Sequence, residues 1–150
     1  PSLFTPLDFG LVGFSFACGL GVKVARPDKT VVSLMGDGGF GMTISELSTA
    51  VQYKINTITI VMNNNSWGAE KAYQKDFFGK RYIGADINSP PFHKVAQLYG
   101  AKGFEVNKVS EVNEALKAAL KCNNPAVINV NVDPKALYSF RRDSFIHRKK

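Results

Sequence analysis

Residues 30–39 read TVVSLMGDGG, an apolar and β-branched run that stops at a cluster of glycines around one aspartate. A continuous apolar run ended by turn residues is typical of a strand buried on both faces of a parallel sheet. A second such run, TITIVM at 57–62, stops at three consecutive asparagines, 63–65. The two strands therefore predict an α/β core in which polar residues follow each strand.

Helical patterns alternate with the strands along the rest of the chain. Upstream, the glycine-rich segment 10–25 predicts a tightly packed helix or a close approach to a ligand. Downstream, Thr43 and Glu46 have the spacing of a capping box for a helix over about 43–51. Two later helices are predicted, one between 89 and 100, which Gly100 ends, and one that Ser110 caps.

Short strands at 104–106 and 126–132 complete the alternation. Strands that alternate with helices predict a doubly wound parallel sheet with helices on both faces. Residues 66–90 show no clear period, so we predict a long functional connection there. Residues 1–132 are expected to form one domain, and 133–150 a polar, basic tail.

The composition narrows the class of protein. The formal net charge of the 150 residues is +7, but no motif of interleaved aromatic and basic residues indicates nucleic-acid binding. No apolar run approaches the roughly 20 residues of a membrane span. The first seven residues lack the basic stretch of a signal peptide, and Cys18 and Cys122 have no metal-ligand spacing. We therefore expect a cytoplasmic protein with free thiols.

The polar residues after the first two strands predict a ligand site. In open α/β sheets, ligands bind beyond the carboxyl ends of the strands. Asp37 offers a carboxylate there, its flanking glycines allow backbone N–H groups to approach an anion, and the asparagines offer amide oxygens. Carboxylate, amide and carbonyl oxygens suit Mg²⁺, which also keeps phosphate oxygens in its shell.

The motif GDG at 36–38, followed 27 residues after Asp37 by Asn64 in an asparagine pair, resembles the signature of thiamine-diphosphate-dependent enzymes. The segment from Val12 to Gln52 resembles the cofactor-binding domain of the acetohydroxyacid synthase and pyruvate decarboxylase superfamily. The resemblance implies two cofactors, thiamine diphosphate and Mg²⁺. It implies that the metal ligands are the side chains of Asp37 and Asn64 and the carbonyl of Ser66.

The same resemblance implies how the chain would hold thiamine diphosphate. Gly36 would belong to the cofactor site, and Gly38 and Gly39 would offer N–H groups to the diphosphate. Val12 would stand at the apolar position that bends the cofactor, where many relatives carry a larger side chain. The carbonyl of Gly10 would meet the aminopyrimidine.

No catalytic residue is expected in this chain. The resemblance implies that a glutamate on a separate pyrimidine-binding domain or subunit activates the cofactor. Neither Glu46, in the predicted capping box, nor Glu70, just after the metal loop, is a credible substitute. We therefore expect an enzyme that is inactive without that partner, and a homo-oligomer.

The segment 67–81, WGAEKAYQKDFFGKR, together with FRRD at 140–143, resembles the sulfoacetaldehyde acetyltransferase family. That family forms acetyl phosphate and sulfite from sulfoacetaldehyde and phosphate. A His-Asn pair precedes WGAEK in that family, whereas asparagines stand here. Arginine forks suit sulfonate and phosphate, so the expected partner is a small anionic substrate, and its candidate ligands are Trp67, Arg81, Arg141 and Arg142.

Two other functions remain open. One is a different carboligase or decarboxylase, such as acetolactate synthase or sulfopyruvate decarboxylase. The other is a non-catalytic nucleotide-binding or regulatory module that kept this fold. A pyrimidine-binding domain with its glutamate, on the same gene or an adjacent one, would favour an enzyme.

Overall fold

The computed structural model describes residues 2–6 and 10–138. Helices and strands alternate in chain order within those ranges. Their bounds are α1 (Phe14–Ala25), β1 (Val32–Gly36), α2 (Asp37–Thr43), α3 (Glu46–Gln52), β2 (Ile58–Asn63), α4 (Gly68–Phe77), α5 (Phe92–Leu98), β3 (Lys102–Val106), α6 (Val112–Lys121) and β4 (Ala126–Asn131).

The described strands form one parallel sheet in the order β1-β2-β4-β3. Alternate residues of the inner strands point to opposite faces. On β4, Val127 joins a core with α1, α2, α3 and α5, whereas Ala126 and Ile128 join a second core with α6. Helices therefore cover both faces, and the predicted doubly wound α/β fold is confirmed.

β1 is the exception to the predicted burial. It lies at the edge of the sheet and pairs only with β2 among the described residues. Ser33 is buried beneath α1, where its hydroxyl donates to the Ser15 carbonyl at 2.8 Å, but Val32 and Leu34 are 48% and 63% exposed. The prediction of a strand buried on both faces is thus wrong for β1, because no described helix covers its second face.

The predicted capping box at Thr43 and Glu46 is also wrong. A helix already begins at Asp37 and ends at Thr43, and the Glu46 carboxylate accepts a hydrogen bond from Thr49 Oγ1 at 3.0 Å. Glycine-rich sequence has poor helix propensity. Tertiary packing overrides it here, because the buried Phe40 ring makes edge-to-face contacts with two other core rings, Phe16 and Phe92.

Ser110 does not cap a helix either. It lies inside a short 3₁₀ turn, Val109–Glu111, that precedes α6. The Glu111 carboxylate accepts hydrogen bonds from the backbone N–H groups of Asn107 and Lys108, and these bonds lower its pKa. An acidic side chain thus replaces the predicted serine at this helix start.

The predicted connection 66–90 contains a ten-residue helix, α4. Its period is hard to detect because Ala72 alone among its residues is fully buried, and charged side chains occupy much of the rest. β4 ends at Asn131, close to the predicted domain boundary, and 139–150 lie outside the described residues. No helix in the described part of the chain has the length and apolar character to cross a membrane.

Candidate functional site

The carboxyl ends of β1 and β2 meet at one edge of the sheet. Gly36 on β1 is in register with Met62 on β2. Asp37, the residue after Gly36, therefore stands at the level of Asn63, and Asn64 follows one step beyond. The parallel pairing thus brings the two polar clusters of the sequence to the same place.

A cleft of about 1610 Å³ follows the side of β1 that no described strand pairs with and ends at these polar residues. Every predicted cofactor residue lines it, and so does one predicted substrate residue. These are Gly10, Val12, Gly36, Asp37, Gly38, Gly39, Asn64, Ser66 and Trp67. Residues that are distant in sequence therefore share one surface, although their binding of a cofactor stays a prediction.

Asp37 is a buried carboxylate with little to neutralise it. It is 1% exposed, and the Ser89 hydroxyl donates to its Oδ2 at 2.6 Å. Among the described residues no Lys, Arg or His forms an ion pair with Asp37. Buried charges are normally paired or bound to a metal, so the surroundings of Asp37 fit a bound cation.

The loop after β2 supplies neutral oxygens beside that carboxylate. Asn64 Oδ1 accepts a hydrogen bond from the Ser66 backbone N–H at 3.1 Å, and Asn65 adopts a left-handed conformation with φ 54°. The Ser66 hydroxyl is buried and has no hydrogen-bond partner. Residues 2–6 and 10–138 hold no cluster of three His, Cys, Asp or Glu for a metal. A metal here would therefore depend on this mixed oxygen set, which suits Mg²⁺.

Gly38 is required by a close approach of Trp67. A Cβ at position 38 would lie 2.5–2.9 Å from three atoms of the Trp67 six-membered ring, which is too close for any real contact. At Gly39, by contrast, an added Cβ would meet its neighbours at 3.5 Å or more. Both glycines lie in the first turn of α2, where N–H groups have no partner inside the helix.

Val12 is not a core residue. It is 47% exposed and faces both the cleft and an adjoining apolar groove of about 670 Å³ along α1. Gly10, two residues earlier, has φ 63° and donates its N–H to the Pro6 carbonyl at 2.7 Å. Position 12 is therefore free to touch a ligand, which core packing would have prevented.

The charged candidates for the substrate lie elsewhere. Arg81 is exposed, donates to the Phe78 carbonyl at 3.2 Å and is not among the residues that line the cleft. Arg141 and Arg142 lie outside the described residues. The lysine and arginine that do line it, Arg26 and Lys29, precede β1, whereas Asp37 follows the last residue of that strand.

The short segment 85–90, which we call the strap, lies inside the predicted functional connection 66–90, but sequence reasoning gave it no role of its own. It crosses the end of the sheet, since the Trp67 N–H donates to the Ala85 carbonyl at 2.8 Å and the Ile87 N–H to the Asn65 carbonyl at 3.0 Å. Asn63 Nδ2 donates to the Pro90 carbonyl at 3.4 Å. The strap has no motif of its own, and the one signal near it was Ser89-Pro90-Pro91, which indicated the start of α5.

Comparison with known proteins agrees with this geometry. Residues 1–130 match the family model "Thiamine pyrophosphate enzyme, C-terminal TPP binding domain". The chain therefore belongs to the family of C-terminal domains that bind thiamine pyrophosphate, another name for thiamine diphosphate.

Similar proteins differ in their named activities. The chain is 37% identical over 131 residues to a probable acetolactate synthase large subunit of Methanococcus aeolicus, covering 87% of this chain and 22% of the relative. It is 35% identical over 147 residues to a sulfoacetaldehyde acetyltransferase of Castellaniella defragrans, covering 95% and 25%. The chain thus spans about a quarter of the length of these relatives.

A solved structure shows the same fold. It is the thiamine diphosphate-dependent 4-hydroxybenzoylformate decarboxylase of Rhodococcus jostii RHA1, with a TM-score of 0.76 and 32% identity. The match covers 81% of this chain and 23% of that one. Three different reactions are thus named among proteins that are similar to this domain.

Proposed function

We propose that this chain is the diphosphate- and Mg²⁺-binding half of a thiamine-diphosphate-dependent carbon–carbon lyase or transferase. The observation that supports it most is Asp37, a buried carboxylate without a cationic side chain, at the end of a cleft lined by Asn64 and Ser66. Family membership adds the cofactor, since the matched domain type binds thiamine pyrophosphate.

Each side chain has a proposed task. The carboxylate of Asp37, the amide oxygen of Asn64 and the carbonyl of Ser66 hold Mg²⁺. The N–H groups of Gly38 and Gly39 bind the diphosphate, and Val12 and the Gly10 carbonyl orient the organic part of the cofactor. Thiamine diphosphate, when bound, supplies the carbanion chemistry that acts on a carbonyl substrate.

We further propose that a second domain or subunit completes the site. Relatives are about four times as long as this chain, so they contain further domains. The activating glutamate would come from that partner, and this chain alone would be inactive. Cytoplasmic location and a homo-oligomeric state belong to the same proposal.

For the substrate, we propose sulfoacetaldehyde, with acetyl transfer to phosphate. The support is a similarity to sulfoacetaldehyde acetyltransferase that extends over 95% of the chain. Acetolactate synthase is the second candidate, because the matched acetolactate synthase subunit is about as similar to this chain, over a slightly shorter span. A non-catalytic module is the third, and it would show no turnover with any partner domain.

The proposed cofactor site is tested by calorimetric titration of the complete protein with thiamine diphosphate, with Mg²⁺ and with chelator. We expect binding that needs Mg²⁺ and that Asp37→Ala abolishes, since the variant loses the one charged ligand. Ser48→Ala, an exposed position on α3, is the control. Equal affinity with and without chelator would contradict the metal site.

The substrate proposal is tested by acetyl phosphate formation from sulfoacetaldehyde at varied phosphate. Loss of a charge-assisted contact costs on the order of 1.5–3 kcal/mol, so Arg142→Ala should impair use of the anion by roughly ten- to hundred-fold. Arg81→Ala is the comparison, because Arg81 does not line the described cleft. A complete enzyme that condenses pyruvate to acetolactate and ignores sulfoacetaldehyde would contradict the substrate and leave the cofactor site standing.

A further inference from the structure

Ser89 is joined to Asp37 by a contact that no motif indicated. Its hydroxyl donates to Asp37 Oδ2 at 2.6 Å, across 52 residues of chain. Ser89 is half-buried and Asp37 almost fully buried. A hydrogen bond to a buried carboxylate is among the stronger kinds, because the acceptor is charged and water is excluded.

Because of this bond, the two carboxylate oxygens of Asp37 differ in their hydrogen-bond partners. Oδ2 accepts from Ser89, whereas Oδ1 accepts from no side chain among the described residues. Rotation of the carboxylate would break the Ser89 bond, so the bond fixes one orientation. A fixed carboxylate presents one oxygen to a ligand, which is the mode that octahedral Mg²⁺ accepts, while Ca²⁺ also accepts both oxygens of one carboxylate.

Ser89 belongs to the strap, and the contacts of the strap hold it in place. The strap is tied to the loop after β2 by backbone bonds from Trp67 and Ile87 and by the Asn63 side chain. The same loop carries Asn64 and Ser66. One short segment therefore contacts both proposed sources of metal ligands, the start of α2 and the end of β2.

We infer that Ser89 is a positioning residue for the proposed metal site, holding the Asp37 carboxylate so that it binds Mg²⁺ through a single oxygen. The inference rests on the proposed function and adds a residue to it. Partners of metal ligands typically change metal affinity ten- to hundred-fold when they are removed.

The test measures metal binding rather than turnover. With thiamine diphosphate present at one fixed concentration throughout, Mg²⁺ and Ca²⁺ are titrated separately into the complete protein as wild type, Ser89→Ala, Ser89→Thr and the control Ser48→Ala. We expect Ser89→Ala to bind Mg²⁺ ten- to hundred-fold more weakly and Ca²⁺ much less so, because a carboxylate that can rotate suits Ca²⁺. Ser89→Thr keeps the hydroxyl and should stay within threefold of wild type.

Three outcomes contradict the inference. Mg²⁺ affinity of Ser89→Ala within threefold of wild type would show that the bond does not position Asp37. Equal weakening of both ions would show a general structural role. If Ser89→Ala fails to fold, Ser89→Cys decides, since it keeps the volume with a weak donor, and wild-type Mg²⁺ affinity there would overturn the inference. Absent Mg²⁺ binding by wild type would instead contradict the proposed function.

Discussion

Single residues of this domain differ in how far their proposed roles could be predicted from the sequence. Asp37, Asn64 and the adjacent glycines follow two neighbouring parallel strands, and parallel strands end at one edge of a sheet, so their convergence could be predicted. Ser89 could not, because its role depends on a contact across 52 residues and not on a local pattern. Gly38 lies between these cases, since the sequence predicted that its backbone N–H approaches an anion but not that Trp67 packs against it.

The Gly38–Trp67 contact predicts a difference between two neighbouring glycines. Gly38→Ala places a methyl group against the indole and should destabilise the fold by about 1–3 kcal/mol through overpacking. Gly39→Ala has room for its methyl group and gains helix propensity, so it should be neutral or stabilising by up to about 1 kcal/mol. Thermal unfolding checks both. Equal melting temperatures for the two variants, or no rescue of Gly38→Ala by Trp67→Ala, would contradict this account.

At the scale of elements, α4 and the loop after it behave as one unit. Gln74 donates to the Ile83 carbonyl at 2.9 Å and accepts the Ile83 N–H at 2.8 Å, and Lys71 pairs with Asp86. Gln74→Ala should release residues 78–86 and speed amide hydrogen exchange at Ile83 at least tenfold, whereas the exposed Lys75→Ala should not. Unchanged exchange at Ile83 in Gln74→Ala would show that the loop is held by other contacts.

The elements also show where sequence patterns stop being informative. The alternation of strands and helices was predictable because buried strands carry long apolar runs. α4 was missed because a helix that buries only Ala72 leaves little period, and β1 was placed in the interior because an apolar run does not reveal what covers it. The start of α2 at Asp37 was missed because its glycines become helical through the packing of Phe40, a tertiary effect.

The whole molecule leaves an apolar surface uncovered within the described residues. Leu11, Val12 and Val24 are exposed near α1, and Val32 and Leu34 on β1. Surfaces of this kind mark sites of association. We expect the isolated chain to dimerise or aggregate, and Leu34→Lys to raise the monomer fraction in sedimentation, whereas Val109→Lys, also at an exposed apolar position, should not. A monomeric wild-type chain over a wide concentration range would contradict this.

The position of the strap in the chain also determines when the proposed site can form during synthesis. During synthesis at about 5–20 residues per second, Ser89 follows Asp37 by roughly 3–10 s. Both β1 and β2 precede Ser89 in the chain, so throughout that interval the carboxylate lacks its donor. The proposed metal site therefore cannot be completed before residue 89 has been made, and a pause in translation before that residue would leave the Asp37 carboxylate without its donor.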